Sequence, residues 1–135
     1  MGGVTGSGHL LDTQALIWLL SEPDRLSAAA MKITRDPSNL LYVSAASAWE
    51  IATKHRLGKL PQADAIIGGY DRHLRRADIE TIEISNEHAL LSGQLDWAHR
   101  DPFDRMIVAT AMIEGLPLIS ADHEFRNLNG ITLIW

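Results

Sequence analysis

The 135-residue sequence predicts a single α/β domain of three layers, with helices on both faces of a central parallel sheet of four to five strands. Short apolar runs alternate with longer stretches of helical periodicity, and no repeat or long linker interrupts them. Strands separated by helices imply parallel pairing, because parallel neighbours need a long crossover, and right-handed crossovers cover both faces. Composition agrees: 46% hydrophobic and 21% charged residues describe an ordinary globular chain able to bury a core.

Residues 1–8 have neither the basic nor the apolar region of a signal peptide and read as a flexible lead-in, leaving 9–135 as the folded domain. Leu10-Leu11 reads as the first strand, ending at Asp12, and Thr13 to Leu20 as a helix. A second helix spans Ser27 to about Arg35, bounded by Pro23 and Pro37. Asn39–Val43 is strand. An alanine-rich helix from Ser44 to about Arg56 stops near Gly58, and Pro61 restarts helix toward Arg76. Glu80–Ile84 is strand and Glu87 to about Trp97 helix. Asp101-Pro102 opens a strongly apolar helix that ends at Gly115, and Pro117–Ser120 and Ile131–Ile134 supply the last strands.

The absence of cysteine excludes a disulfide framework, a thiolate metal site and a cysteine nucleophile. No apolar run approaches the length of a membrane span. Four carboxylates in four separate stretches remain to be explained: Asp12, Glu50, Asp104 and Asp122. Each has a plain structural reading. Asp12 and Asp122 suit helix N-caps, and Asp101 with Asp104 nearly completes a capping box. Glu50 is spaced to pair with Lys54. Taken together these readings fare worse, because the topology sends all four to the C-terminal edge of the sheet, where open α/β folds bind ligands. Unscreened carboxylates there repel by roughly 4 kcal/mol per close pair. A divalent cation relieves that cost, and an oxygen-only donor set favours Mg²⁺ or Mn²⁺ over zinc.

Leu10-Leu-Asp-Thr, Ser44-Ala-Ala-Ser-Ala-Trp-Glu-Ile, His99-Arg-Asp-Pro-Phe-Asp-Arg-Met-Ile-Val-Ala-Thr-Ala and Leu118-Ile-Ser-Ala-Asp-His-Glu-Phe resemble, in order, the motifs of PIN-domain nucleases. More narrowly, the chain is similar to VapC toxins of bacterial toxin–antitoxin pairs. The resemblance spans residues 10 to 125. It implies that Asp12, Glu50, Asp104 and Asp122 form the metal-binding site of a cytoplasmic Mg²⁺- or Mn²⁺-dependent endoribonuclease. It also implies a homodimer inhibited by a VapB-like antitoxin. Thr13, Ser44 and Ser120 match hydroxyl positions beside the site, where they would orient a carboxylate or water, with Asp101 as the neighbouring cap.

The net charge of −5 looks wrong for an RNA substrate, yet setting the four proposed ligands aside leaves −1. Lys54, Arg56 and Arg105 are the candidate RNA contacts, Arg105 serving either substrate or site structure. Trp18 and Trp49 read as core rather than base-stacking residues. The apolar surplus at Leu16–Leu20 points to a dimer or antitoxin groove. Two other functions fit the same fold. A silent RNA- or protein-binding scaffold would use the carboxylates as caps and ion pairs. A phospho-accepting signalling domain would need an adjacent acidic pair after the first strand and a lysine after the last. Leu11-Asp12 and Ser120-Ala-Asp122 supply neither.

Overall fold

The computed structural model describes residues 8–135. Most of the expected lead-in, residues 1–7, lies outside the described residues, while Gly8 is already strand. A Cβ at Gly8 would meet the Leu116 side chain at 2.9 Å, so the strand starts tightly packed. Five parallel strands form one sheet in the order β3-β2-β1-β4-β5: β1 (Gly8–Leu11), β2 (Leu40–Ser44), β3 (Ile79–Ile82), β4 (Leu118–Ile119) and β5 (Leu133–Ile134). The helices are α1 (Thr13–Ser21), α2 (Ala28–Arg35), α3 (Ala45–Arg56), α4 (Ala63–Ile67), α5 (Tyr70–Arg76), α6 (Asn86–Gln94) and α7 (Pro102–Glu114).

The two-residue period of a strand explains the three layers. In β1, Leu11 joins a core with α1 to α5, whereas its neighbour Leu10 joins a second core with Ile107, Val108 and Ala111 of α7. Ile119 and Leu118 of β4 divide in the same way. Because both faces are covered, the central strands are continuously apolar rather than alternating, as Leu10-Leu11 and Leu118-Ile119 show.

Winding reverses at β1. The chain builds outward from β1 to β2 and β3, then crosses to the other side for β4 and β5. A crevice therefore opens beyond the carboxyl ends of β1 and β4, which pair through Leu10 with Leu118 and Leu11 with Ile119. Asp12 follows β1 directly and Ser120 follows β4.

The structure corrects three expected elements. The helix from Pro61 to Arg76 is two helices, α4 and α5, separated by Gly68-Gly69, since paired glycines interrupt a short helix at little strain. The strand expected at Glu80–Ile84 is Ile79–Ile82, set by the pairing of Leu41 with Ile79. The helix expected to reach Trp97 stops at Gln94, because the loop beyond it is held by a side chain from α7 described below. Gly115 ends α7 in the left-handed region, φ 68°, as its sequence position predicted.

Candidate functional site

A cleft of about 330 Å³ sits at the crevice and is lined by Asp12, Glu50, Asp104 and Asp122, together with Thr13, Lys54, His99 and Asp101. The four carboxylates come from the end of β1, the middle of α3, the first turn of α7 and the loop after β4.

Capping and lining the cleft turn out to be compatible, because a carboxylate has two oxygens. Asp12 Oδ1 accepts from the Ala15 backbone N–H at 2.7 Å, and the Ser120 hydroxyl donates to the same carboxylate. Asp101 Oδ1 accepts from the N–H groups of Phe103 and Asp104 at 2.8 and 3.3 Å. Asp122 Oδ1 caps the short 3₁₀ turn His123–Asn127 by accepting from Glu124 N–H at 3.0 Å. The Ser120 hydroxyl also accepts from the Asp122 N–H at 3.0 Å, so this serine links the first and last acidic positions.

Burial dominates the electrostatics. Asp12 is 5% exposed, and its loss of water pushes its pKa up to about 7. The hydrogen bonds from Ser120 and Ala15 work against that rise, and the charges of Asp104 and Glu50 reinforce it. Asp104 is pushed up to about 6, again mainly by burial, with the His99 hydrogen bond opposing and Asp101 and Glu50 adding. At Lys54 burial favours the neutral amine. The hydrogen bond and charge of Glu50, with Asp101 and Asp104 behind them, outweigh it and raise the pKa.

Glu50 is only 4% exposed. Its Oε2 accepts a hydrogen bond from the Lys54 ammonium, the i,i+4 pair the sequence suggested, but its Oε1 is buried with no partner. A buried, unpaired carboxylate oxygen is costly, and a cation in the cleft would satisfy it. Asp12, Glu50 and Asp104 line the cleft with oxygen donors, the ligand type that a hard divalent ion takes.

His99, to which the sequence reading gave no role, belongs to this cluster. Its Nε2 lies 2.7 Å from Asp104 Oδ2 and its Nδ1 lies 3.6 Å from Glu124 Oε2. Among the described residues, His99, Asp101 and Asp104 are the group whose possible ligand atoms all lie within 4.8 Å of one another. The donors near α7 are therefore not purely oxygen. Partial burial opposes a charge on His99, and the Asp104 hydrogen bond with the nearby carboxylates raises its pKa nonetheless. The signal in the sequence was slight: a histidine two residues before an Asp-Pro cap.

Arg105 explains where His99 stands. Its guanidinium donates to four backbone carbonyls, those of Ser92, Leu95, Trp97 and His99, at 2.8–3.0 Å. This fork ties the segment after α6 to α7, so Arg105 structures the site and has little donor capacity left for RNA. Ser44 departs from its expected place as well. Its hydroxyl accepts from Ala46 N–H at 3.0 Å, capping α3, and it does not line the cleft. Thr13 lines the cleft and shares a 2.9 Å hydrogen bond with Ser47 of α3, fastening α1 to the helix that carries Glu50. Arg56 is exposed at the end of α3 and is not among the lining residues.

Of the two tryptophans expected in the core, Trp18 is half-buried against Trp135, with ring centroids 5.7 Å apart. Trp49 is 54% exposed, which corrects the reading, and meets Phe103 edge-on at 4.6 Å. Of the Leu16–Leu20 run, Leu16 and Ile17 are buried while Trp18, Leu19 and Leu20 are partly exposed.

The PIN domain family model matches residues 9–131. The chain belongs to the PIN-domain family. Within that family it is 30% identical over 121 residues to Ribonuclease VapC22 of Mycobacterium tuberculosis (strain ATCC 25618 / H37Rv), covering 87% of this chain and 89% of that protein. It is 38% identical over 68 residues to Ribonuclease VapC16 of the same strain, a match spanning 47% of this chain and about half (48%) of that relative. The structure of VapBC2 from Rickettsia felis bound to a DNA fragment from its promoter superposes with a TM-score of 0.67 at 15% identity, covering 94% of this PIN domain and 97% of that chain. At that identity the likeness speaks to the fold, and the parallel five-stranded sheet flanked by helices is the one they share.

Proposed function

We propose that this PIN domain is a metal-dependent endoribonuclease of the VapC type, hydrolysing RNA phosphodiester bonds as the toxin of a toxin–antitoxin pair. The observation that carries the reading is the unpartnered Glu50 Oε1, buried in a cleft that four further carboxylates line. A silent scaffold, which needs the carboxylates only as caps and ion pairs, gives no reason to gather five of them in one cleft. The ribonuclease names of the relatives, and a fold shared with a VapBC structure, support the same conclusion.

Asp12, Glu50 and Asp104 would hold Mg²⁺ or Mn²⁺, with Asp122 at the more exposed side of the cleft. When bound, such an ion supplies Lewis acidity toward the phosphate and makes water a competent nucleophile at neutral pH. The protein does the rest. Ser120 holds the Asp12 carboxylate, the Thr13–Ser47 contact fixes the distance between α1 and α3, and Arg105 presents His99 to Asp104. His99 bridges the two sides of this segment, its Nε2 against Asp104 and its Nδ1 toward Glu124. Lys54 on the cleft wall and Arg56 beyond it would meet RNA phosphates.

The partners follow the same reading: a VapB-like antitoxin, a second copy of the chain, and a cytoplasmic setting. Among the described residues no helix is long and apolar enough to cross a membrane. The test is RNA cleavage with Mg²⁺ or Mn²⁺ by wild type and Asp104→Asn, whose fold is checked by circular dichroism. The variant should be folded and inactive, and chelation should silence the wild type. Undiminished cleavage by the variant would remove the metal mechanism.

A further inference from the structure

Lys54 occupies an unusual place for an i,i+4 partner. Such pairs on an exposed helix contribute little, because water already solvates both charges. Here the carboxylate is buried, with a side chain 5% exposed, while the lysine is 40% exposed, so one partner depends on the contact and the other does not. Among the residues lining the cleft, Lys54 alone carries a permanent positive charge. Asp101 and Asp104 also act on it through their charges.

Consider what a divalent cation meets on entering. Glu50 Oε1 needs a partner, but Glu50 Oε2 already has one, and that partner is positive. Two cations on one carboxylate repel, and the more mobile one yields. The lysine stem is flexible and its side chain 40% exposed, so its ammonium gains water on leaving Glu50 and need not be buried elsewhere. Anchored on the cleft wall, the released ammonium stays within reach of a phosphate entering the cleft.

We infer that Lys54 is a resident counter-ion that exchanges Glu50 for the phosphate of the bound RNA when a divalent cation loads, linking metal binding to substrate binding. This rests on the metal-dependent reading above and adds to it a positioning residue and an order of events. Without the ion, Lys54 shields Glu50 and contributes nothing to RNA. With it, the same charge serves the substrate.

The experiment has two parts. Calorimetric titration of Mn²⁺ into the RNA-free protein compares wild type with Lys54→Met, Lys54→Gln and Lys54→Arg. Removing the competing charge should tighten Mn²⁺ binding about tenfold in the Met and Gln variants, while Arg, which keeps the charge, stays near wild type. The Gln variant retains a neutral hydrogen bond to Glu50 and covers the case in which Met fails to fold. Unchanged or weaker Mn²⁺ binding in the neutral variants overturns the exchange. If wild type itself takes up no Mn²⁺, the metal-dependent reading falls first, a result distinct from the other.

In the second part, fluorescence anisotropy follows a short, nuclease-resistant 2′-O-methyl RNA across a salt series, with and without Mn²⁺. With Mn²⁺ the salt dependence of wild type should be steeper than that of Lys54→Gln by about 0.7 in logarithmic slope, the release of one counter-ion from a single strand. Without Mn²⁺ the two slopes should coincide. Equal slopes with Mn²⁺, or a difference already present without it, would each overturn the proposal.

Discussion

Replacing Asp12 by Asn should flatten the dependence of stability on pH in the metal-free protein. The folded state holds this carboxyl at a pKa of about 7 against 3.8 for the free side chain. Between those values the native protein binds a proton that the unfolded chain has released, so stability is highest below 3.8 and falls as pH rises toward 7. At 1.36 kcal/mol per pH unit the whole effect is about 4 kcal/mol, of which about 2.5 kcal/mol falls between pH 5 and pH 8. For a domain of this size that corresponds to roughly 10 °C in Tm. The raised pKa values of Asp104 and His99 act in the same direction, so some slope survives in the variant. Asparagine keeps an acceptor for the Ala15 N–H and for Ser120 but never ionises. Thermal unfolding followed by circular dichroism in EDTA, at several pH values from 5 to 8, measures both curves. Wild type should lose about 10 °C more than Asp12→Asn, and Mg²⁺ or Mn²⁺ at pH 8 should restore wild type far more than the variant. Parallel pH curves would refute the claim that burial of the Asp12 charge is a cost the protein carries.

Other consequences are local. Arg105→Leu removes donors from four backbone carbonyls and should cost about 3 kcal/mol, with amide exchange accelerating after α6; Arg105→Lys should not restore it, since one ammonium cannot span the four acceptors. Chemical denaturation with hydrogen-exchange mass spectrometry checks both. Gly115→Ala places a Cβ on a residue at φ 68° and should destabilise by about 1 kcal/mol without affecting Mn²⁺ uptake. The surroundings of Gly115 are open, so a larger loss would mean that the strain argument is incomplete.

The sequence made the sheet and its acidic edge legible because both follow from chemistry that is local in the chain. Leu10-Leu11 is apolar on both faces, so Asp12 marks where the strand stops, and the same holds for Leu118-Ile119 before Ser120. The Asp101-Pro102 start and the Gly115 stop of α7 are equally local signals. What stayed hidden depends on distant partners. His99 sits in a segment without periodicity, and its placement comes from Arg105 reaching back to carbonyls as far away as Ser92. The restart at Pro61 points to one helix as far as Arg76, and the break at Gly68-Gly69 emerges only in the packed structure. Trp49 was misjudged because its helix is covered on the Glu50 and Ile51 side and open on the next, a difference that only the packed neighbours decide.

The pairing of Leu10 with Leu118 and Leu11 with Ile119 decides when the cleft is assembled during folding. Asp12 follows β1, yet the serine that holds its carboxylate follows β4, more than a hundred residues further along the sequence. Loop closure over such a separation comes late in folding. The acidic cleft is thus completed only when β4 docks beside β1, and a chain that has folded just its first half has no such site.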